Sequence, residues 1–144
     1  MSPKVHIETA RLRLRDWIDA DAEPYATLNA DPRVMEFFPA ALTRAQSDAQ
    51  MAAIRLFLGD HGYGLYAAEE KANARFIGFV GLSHPSFEAH FMPAVEIGWR
   101  LAREAWGQGY ASEAAGAVVA HAFTALDLDA LVSLTAEWNR PSAT

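Results

Sequence analysis

The N-terminal region first alternates between charged and apolar residues and then takes on a helical pattern. Residues 11–15, RLRLR, alternate strictly, so the two leucines share one face of a half-buried strand and the three arginines share the other. Asp19 or Asp21 is placed to cap a short helix that continues to about Asn29. The pair Asp31-Pro32 should end that helix, because the residue before a proline avoids helical backbone angles.

A second, longer helix has sequence signals at both ends. Thr43 and Gln46 have the spacing of a capping box, in which each side chain accepts a hydrogen bond from the backbone N–H of the other residue. Apolar residues then recur at helical spacing up to about Leu58. Gly59 and Gly62 should stop the helix, since glycine readily adopts the left-handed conformation at a helix C-terminus.

The middle of the chain is rich in residues that favour strands. Residues 63–70 and 75–83 are separated by a turn at 71–74, and their aromatic and β-branched side chains predict a β-hairpin. Residues 84–93 are predicted to form a loop. Residues 95–101 then alternate between apolar and other side chains, which predicts a further strand.

The C-terminal part combines a long apolar helix with one last strand. Small and apolar residues repeat at helical spacing from about Tyr110 to Leu126, and residues 131–138 are predicted to form a strand. Residues 139–142 resemble the start of a helix that the sequence does not complete. Together the elements predict an α/β fold with a mixed, mostly antiparallel sheet flanked by helices, and residues 1–144 are expected to form a single domain.

Composition excludes several classes of function. The 144 residues are 51% hydrophobic and 21% charged, which suits one globular domain with a substantial core. A net charge of -6 disfavours a nucleic acid or an anionic membrane surface as the main partner. No segment has the apolar length of a signal peptide or a membrane span, so we expect a cytoplasmic protein. The absence of Cys excludes disulfides and an acyl-cysteine intermediate.

The most informative segment for chemistry is a glycine-rich turn between a strand and a helix. Gly107 and Gly109 remove side chains where the helix begins, which leaves backbone N–H groups and the positive end of the helix dipole free to bind a phosphate. An ordinary tight turn explains such a pair of glycines as readily. The segment is neither a P-loop nor a dinucleotide fingerprint, since no Gly-Lys-Ser/Thr follows and Ser112 replaces the third glycine.

Several short motifs follow one another in a specific order. They are ETARLRLRDW near the N-terminus, DPRVM after the first helix, FIGFVGL in the hairpin, VEIGWRL followed by WGQGYASEA, and EWNRPS near the end. In this order they resemble the GNAT N-acetyltransferases, in the branch of the RimJ and RimL ribosomal-protein N-terminal acetyltransferases. The family continues past the last motif with a helix and two strands, so we expect either a truncated chain or a homodimer in which a neighbouring copy completes the sheet.

The resemblance implies that acetyl-CoA lies in a wedge between two strands, with its pantetheine arm along one strand and its pyrophosphate in the glycine-rich loop. The residues that match the cofactor-binding positions are Ile97, Gly98, Trp99, Leu101, Trp106, Gly107, Gln108, Gly109, Tyr110, Ala111, Ser112 and, toward the CoA arm, Asn139. One position departs from the family pattern. The loop usually carries Arg or Gln three residues before its first glycine, whereas this chain has Glu104 next to Arg103.

Acetyl transfer needs a neutral amine, so a base must take a proton from the protonated acceptor. Glu96, on the polar face of the cofactor strand, is the candidate base and would act through water. The structural alternative for Glu96 is an ion pair with Arg100 or Arg75 across the sheet. The strand backbone near Gly98 would polarise the thioester carbonyl. By resemblance, Ser142 protonates the departing thiolate, although serine is also a common helix cap.

The acceptor side is less well defined by the sequence. By family analogy the segment after the first helix borders the acceptor site, and Phe37 and Phe38 are candidates to line it. Burial in the core is nevertheless the common fate of phenylalanine. Surplus acid, which includes Glu69 and Glu70, would favour a cationic acceptor by electrostatic steering or would simply form solvated surface.

One predicted loop contains residue types that bind metal ions. His84, Glu88 and His90 lie close together in the sequence, but no further His or Cys completes a ligand set nearby, so we expect no metal site. Acetyl-CoA is therefore the one cosubstrate that we predict.

The resemblance predicts an enzyme that transfers acetyl directly from acetyl-CoA to a primary amine within a ternary complex. A protein N-terminal α-amine is the first hypothesis for the acceptor. A small-molecule amine, such as an antibiotic, a polyamine or an amino acid, is the alternative. From other classes, a catalytically idle acyl-CoA-binding domain and a dimerisation fragment with an incomplete cofactor wedge also remain open.

Overall fold

The computed structural model describes residues 3–36, 38, 40–83 and 96–124, apart from the side chains of residues 96 and 123. Five strands and three α-helices make up this part of the chain. They are β1 (Val5–Glu8), β2 (Leu12–Arg15), α1 (Ala22–Ala30), α2 (Arg44–His61), β3 (Leu65–Glu70), β4 (Arg75–Ser83), β5 (Glu96–Leu101) and α3 (Tyr110–Thr124). The predicted strand at 131–138 and the helix start at 139–142 lie outside the described residues.

The strands form one sheet in the order β1-β2-β3-β4-β5, and every neighbouring pair is antiparallel. The hairpin predicted at 63–70 and 75–83 is the β3–β4 pair, and the strand predicted at 95–101 is β5. The sequence did not predict β1. This short strand pairs with β2 through Val5 opposite Arg15 and Glu8 opposite Arg13.

Helices cover the sheet from both faces. Neighbouring residues on a strand point to opposite faces. Glu69 of β3 contacts Arg15, whose other acidic partner, Asp21, directly precedes α1. Glu70, the next residue on β3, accepts a 2.7 Å hydrogen bond from the hydroxyl of Tyr110 at the start of α3. Consequently α1, with α2 packed beside it, lies on one face and α3 lies on the other.

One arginine of β2 is buried, so the prediction of a half-buried strand was wrong for Arg15. Arg15 is 3% exposed and donates two hydrogen bonds to Asp21 (2.9 and 3.0 Å) and one to Glu69 (2.7 Å). Arg13 donates a further hydrogen bond to Glu69 at 2.7 Å. Burial alone would raise the pKa of the Glu69 carboxyl, but the hydrogen bonds from the two arginines outweigh it and lower that pKa.

The helix ends follow the sequence signals in part. Thr43 and Gln46 form the predicted capping box at the start of α2, with N···O distances of 2.9 and 3.1 Å. Gly62 ends that helix in the left-handed conformation (φ +78°), whereas Gly59 lies within it and does not stop it. Asp21 precedes α1 but its side chain does not cap the helix, because its carboxylate binds Arg15 and the backbone N–H of Ile18.

Two glycines of the FIGFVGL segment let neighbouring strands approach β4 closely. A Cβ on Gly78 would lie 2.1 Å from the carbonyl oxygen of Arg100 on β5, and the φ angle of Gly78 is +138°. A Cβ on Gly81 would lie 2.1 Å from the carbonyl oxygen of Gly64, which precedes β3. Side chains at these positions would therefore separate the central strands.

Residues from the sheet and from the helices on both of its faces form the hydrophobic core. The largest fully buried apolar side chains are Leu12, Leu14, Tyr25, Tyr66, Ile77, Val80, Leu82, Ile97 and Val118. Within the described ranges, no helix combines the length and the apolar character that crossing a membrane requires.

Candidate functional site

The strand β5, an eight-residue loop and the helix α3 form one continuous unit. The loop, residues 102–109, contains a short 3₁₀ turn at Arg103–Ala105, followed by Gly107 and Gly109 with φ angles of +75° and +79°. The first backbone hydrogen bond within α3 runs from Glu113 N to Gly109 O at 3.0 Å. The N–H groups of residues 110–112 precede it and have no acceptor inside the helix, so they carry the positive end of the helix dipole.

Two side chains of the loop fix its shape through hydrogen bonds to backbone carbonyl groups, and its glycines are exposed to solvent. The indole Nε1 of Trp106 donates to the carbonyl oxygen of Leu101 (3.0 Å), and the Nε2 of Gln108 donates to that of Glu104 (3.0 Å). Gly107, Gln108 and Gly109 are exposed. Apart from Gly107 and its two chain neighbours, no heavy atom of the described residues lies within 4 Å of the position that a Cβ on Gly107 would take. The loop therefore presents accessible backbone of fixed shape.

The structure brings most of the predicted cofactor residues into this unit. Ile97, Trp99 and Leu101 are buried within β5, and Gly98 pairs with Gly81 of β4. At the start of α3, the predicted residues Tyr110 and Ala111 are buried and Ser112 is exposed. The predicted residues Asn139 and Ser142, and the side chain of Glu96, lie outside the described part of the chain.

The charged residues of the loop are paired with neighbouring elements. Glu104 lies 3.5 Å from the Nη2 atom of Arg75. Arg103 donates from Nε to Asp31 at 3.2 Å. Both side chains therefore contact other elements and not the glycine end of the loop. An anion at that end would be bound by backbone N–H groups and by side chains from other parts of the chain.

A cluster that the sequence did not predict joins the β1–β2 turn to α3. The carboxylate of Glu113 accepts hydrogen bonds from the Thr9 hydroxyl (2.5 Å), the Arg11 backbone N–H (3.0 Å) and the Arg11 Nε (2.7 Å), and it lies 2.7 Å from Arg11 Nη2. Burial alone would raise the pKa of Glu113, but these contacts lower it. Arg11 also covers the ring of Tyr110, with Cζ 4.4 Å from the ring centroid.

Arg100 of β5 is buried on the α1 side of the sheet. It is 7% exposed, and its Nη1 donates to the side-chain oxygens of Asn29 (2.8 Å) and Gln50 (2.9 Å). Its Cζ lies 4.7 Å from the ring centroid of Phe38 and 5.2 Å from that of Phe79. Burial lowers the pKa of Arg100, and within the described residues no carboxylate lies within ion-pair distance of it. Phe38, a predicted acceptor residue, therefore covers a buried cation; Phe37 lies outside the description.

A small apolar cavity opens beside the N-terminal end of β5. Its volume is about 200 Å³, which is smaller than a typical pocket for a drug-sized ligand and suits a single side chain or small group. It lies between α2 and the strands β3 and β4. Its lining residues are Gln50, Ala53, Ile54, Phe57, Leu65, Leu82 and Ser83. Ser83 is also the register partner of Glu96, so the cavity adjoins the backbone of the candidate base.

The idea that Glu69 and Glu70 contribute a free acidic surface was wrong. Glu69 is bound by two arginines of β2. Glu70 accepts a hydrogen bond from Tyr110, which raises the pKa of that tyrosine. These carboxylates therefore bind neighbouring elements of the fold.

The described residues contain no group of three or more His, Asp or Glu side chains that is arranged to hold a metal ion. The sequence motif of His84, Glu88 and His90 falls outside the described part of the chain.

Comparison with known proteins agrees with this architecture. Residues 11–144 match a family model described as the acetyltransferase (GNAT) domain. The chain is 30% identical over 143 residues to the uncharacterized protein YkkB of Bacillus subtilis, and the match spans 99% of this chain and 82% of YkkB.

Solved structures show the same fold. An acetyltransferase from Agrobacterium tumefaciens is 30% identical, with a TM-score of 0.74 over 92% of this chain and 74% of that protein. RimL, a ribosomal-protein alpha-N-protein acetyltransferase, is 18% identical with a TM-score of 0.66, over 89% of this chain and 69% of RimL. At that identity the similarity to RimL shows the fold alone. The predicted architecture of a sheet flanked by helices is confirmed.

Proposed function

Since this chain belongs to the GNAT acetyltransferase family and is an acyltransferase by that membership, we propose that it transfers acetyl directly from acetyl-CoA to the α-amine of a protein or peptide N-terminus. The observation that carries the cofactor assignment is the exposed loop with two left-handed glycines that leads into α3. Backbone N–H groups at a helix start are suited to bind phosphate oxygens.

We propose that the cofactor lies along β5 and the loop. Its pantetheine arm would follow the strand at residues 97–101, and its pyrophosphate would contact residues 106–112. Asn139 would contact the CoA arm. Two features of the described residues support this arrangement: β5 runs directly into the loop, and the loop is fixed to the strand end through Trp106. Binding there would place the thioester beside the N-terminal half of β5.

We propose that Glu96 acts as the general base, through water, and that the backbone N–H near Gly98 polarises the thioester carbonyl. The base would take the proton that an ammonium acceptor must lose before it attacks. The amine then adds to the carbonyl carbon, the C–S bond breaks, and Ser142 would supply the proton to the departing thiolate. The chain has no cysteine, so the acetyl group passes to the amine without a cysteine-bound intermediate.

The acceptor would approach from the α1–α2 side of the sheet, with Phe37 and Phe38 at the border of its site. The cavity beside Ser83 supports this direction, because Ser83 pairs with Glu96. A small-molecule amine is the alternative acceptor. An acyl-CoA-binding domain without turnover is the alternative from another class.

Mass spectrometry of acetylated products tests the proposal. The purified chain is incubated with acetyl-CoA and a panel of short peptides, their N-terminally blocked counterparts, polyamines and amino acids. We expect acetylation of free peptide N-termini and no acetylation of the blocked peptides. Turnover only of polyamines or amino acids would shift the assignment to small molecules, and CoA binding without any product would favour the idle domain.

The role of Glu96 is tested with Glu96→Gln, and Glu23→Gln on the exposed side of α1 serves as the matched control. A general base acts only when it is deprotonated, so the wild-type rate rises with pH through the titration of the base. We expect Glu96→Gln to lower turnover and flatten that rise while CoA affinity stays close to that of the wild type. An unchanged pH profile would show that Glu96 is structural.

A further inference from the structure

We propose that Arg11, in the turn between β1 and β2, is a ligand of the cofactor pyrophosphate. This inference rests on the proposed function, and it adds a residue from the opposite end of the sequence to the phosphate-binding loop. It also supplies a cation at the glycine end of the loop, because the charged residues of the loop itself, Arg103 and Glu104, pair with other elements.

The position of Arg11 brings its guanidinium next to the loop. Its Nη2 atom lies 3.5 Å from the point that a Cβ on Gly109 would occupy. Its Cζ lies 4.4 Å from the ring centroid of Tyr110, the first residue of α3. A phosphate bound by the N–H groups at the start of α3 would therefore have this guanidinium as a neighbour.

The orientation of Arg11 is set by Glu113. The Oε1 atom of Glu113 lies 2.7 Å from both Nε and Nη2 of Arg11, and Oε2 accepts from the backbone N–H of the same residue. One edge of the guanidinium is thus held by a carboxylate. An arginine has five N–H donors in a planar fork, so the edge that carries Nη1 remains to donate to another anion. The side chain is 44% exposed, which leaves this edge within reach of a ligand.

The charges of the side chains at the start of α3 also support a role for Arg11 in phosphate binding. Glu113 sits one turn into α3, where a bare carboxylate would repel a phosphate at the helix start. Arg11 neutralises that carboxylate and adds donors of its own. Of the cations close in sequence to the loop, Arg103 is paired with Asp31 and Arg100 is buried against Asn29 and Gln50. Among the described residues, Arg11 is therefore placed to offset the charge of the pyrophosphate.

The experiment compares a ligand that contains phosphates with one that lacks them. Affinity for CoA is measured by calorimetric titration, and kcat/KM is measured for acetyl-CoA and for acetyl-pantetheine, which has the same thioester and arm but no pyrophosphate. The variants are Arg11→Ala and Arg11→Lys. Arg44→Ala is the control, since Arg44 is also exposed and pairs with a single carboxylate, Asp48, on α2. Thermal melting confirms that each variant is folded.

Loss of a charge-assisted contact to phosphate should weaken CoA binding about 10- to 100-fold in Arg11→Ala. We expect a smaller loss in Arg11→Lys, which keeps the charge but not the planar fork, and no change in Arg44→Ala. Turnover of acetyl-pantetheine should stay within about twofold of the wild type, a change too small to correspond to a lost contact. The double variant Arg11→Ala/Glu113→Ala should bind CoA better than Arg11→Ala, because it also removes the uncovered carboxylate.

Unchanged CoA affinity in a folded Arg11→Ala variant would overturn the proposal. An equal loss with acetyl-CoA and acetyl-pantetheine would also overturn it, because it would show that Arg11 only supports the fold. These outcomes differ from failure of the proposed function, in which the wild-type chain binds CoA but acetylates no amine.

Discussion

Replacing Gly107 by aspartate should weaken CoA binding far more than replacing it by asparagine. The two side chains have nearly the same shape, and both tolerate the left-handed backbone better than most residues. The comparison therefore isolates one negative charge at the glycine end of the loop. The same backbone angle, φ +75°, is imposed on both variants.

The size of the effect follows from the open space at Gly107 and from Coulomb's law. Apart from Gly107 and its two chain neighbours, no described heavy atom lies within 4 Å of a Cβ at Gly107, so the Cβ of either variant has open space. The loss of glycine at a left-handed position costs each variant about 1 kcal/mol of folding free energy. A carboxylate roughly 6 Å from a phosphate charge, at an effective dielectric constant between about 20 and 80, costs about 1 to 3 kcal/mol. That penalty corresponds to a Kd about 5- to 150-fold higher for the aspartate variant than for the asparagine variant.

Calorimetric titration of CoA into both variants measures this ratio directly. The titration is repeated at higher salt, where screening should narrow the difference between the two Kd values. Equal affinities of the aspartate and asparagine variants, in chains with matching melting temperatures, would refute the placement of the pyrophosphate at this loop.

Two further substitutions test the forces that hold the fold. Glu69→Gln should lower the free energy of unfolding by about 1 to 3 kcal/mol at neutral pH, because it weakens the charged contacts of Arg15. Since the pKa of Glu69 is lowered in the folded chain, this stabilisation is present above the ordinary glutamate range and is lost as pH falls through the folded pKa. Urea denaturation curves of wild type and variant should therefore converge in acid, and a constant gap would contradict the charge argument. Gly78→Ala should cost at least about 3 kcal/mol, or prevent folding, because its Cβ would meet the carbonyl oxygen of Arg100. Gly116→Ala in α3 is the control: it has open space and should stabilise the chain by about 0.5 to 1 kcal/mol in the same urea assay.

Local sequence signals were sufficient for most elements of the fold. The capping box at Thr43 and the helical spacing of α3 depend on residues within a few positions of one another, and both are found as predicted. The strand β1 was missed because its four residues, VHIE, are partly exposed and too few to show a period. Gly59 did not end α2, because glycine in a helix costs only about 1 kcal/mol, which packing of the helix can offset.

The interactions that depend on distant residues could not be predicted from patterns. Arg15 occupies a polar position of an alternating strand. It is nevertheless buried, because Glu69, 54 residues away in the sequence, lies on the neighbouring strand β3 and binds it. The contact between Arg11 and Glu113 joins residues 102 apart. Periodicity identifies which face of an element a residue occupies, but not which charged group from another element will meet it there. Motif order was therefore the stronger guide to the loop, and geometry was needed to find Arg11.

Amide hydrogen exchange, measured with and without CoA, locates the cofactor on the chain. We expect saturating CoA to slow exchange at the backbone N–H groups of residues 106–112, where the phosphates would accept hydrogen bonds, and to leave the exposed side of α2 unchanged. Binding of CoA without added protection in residues 106–112 would show that the pyrophosphate lies elsewhere.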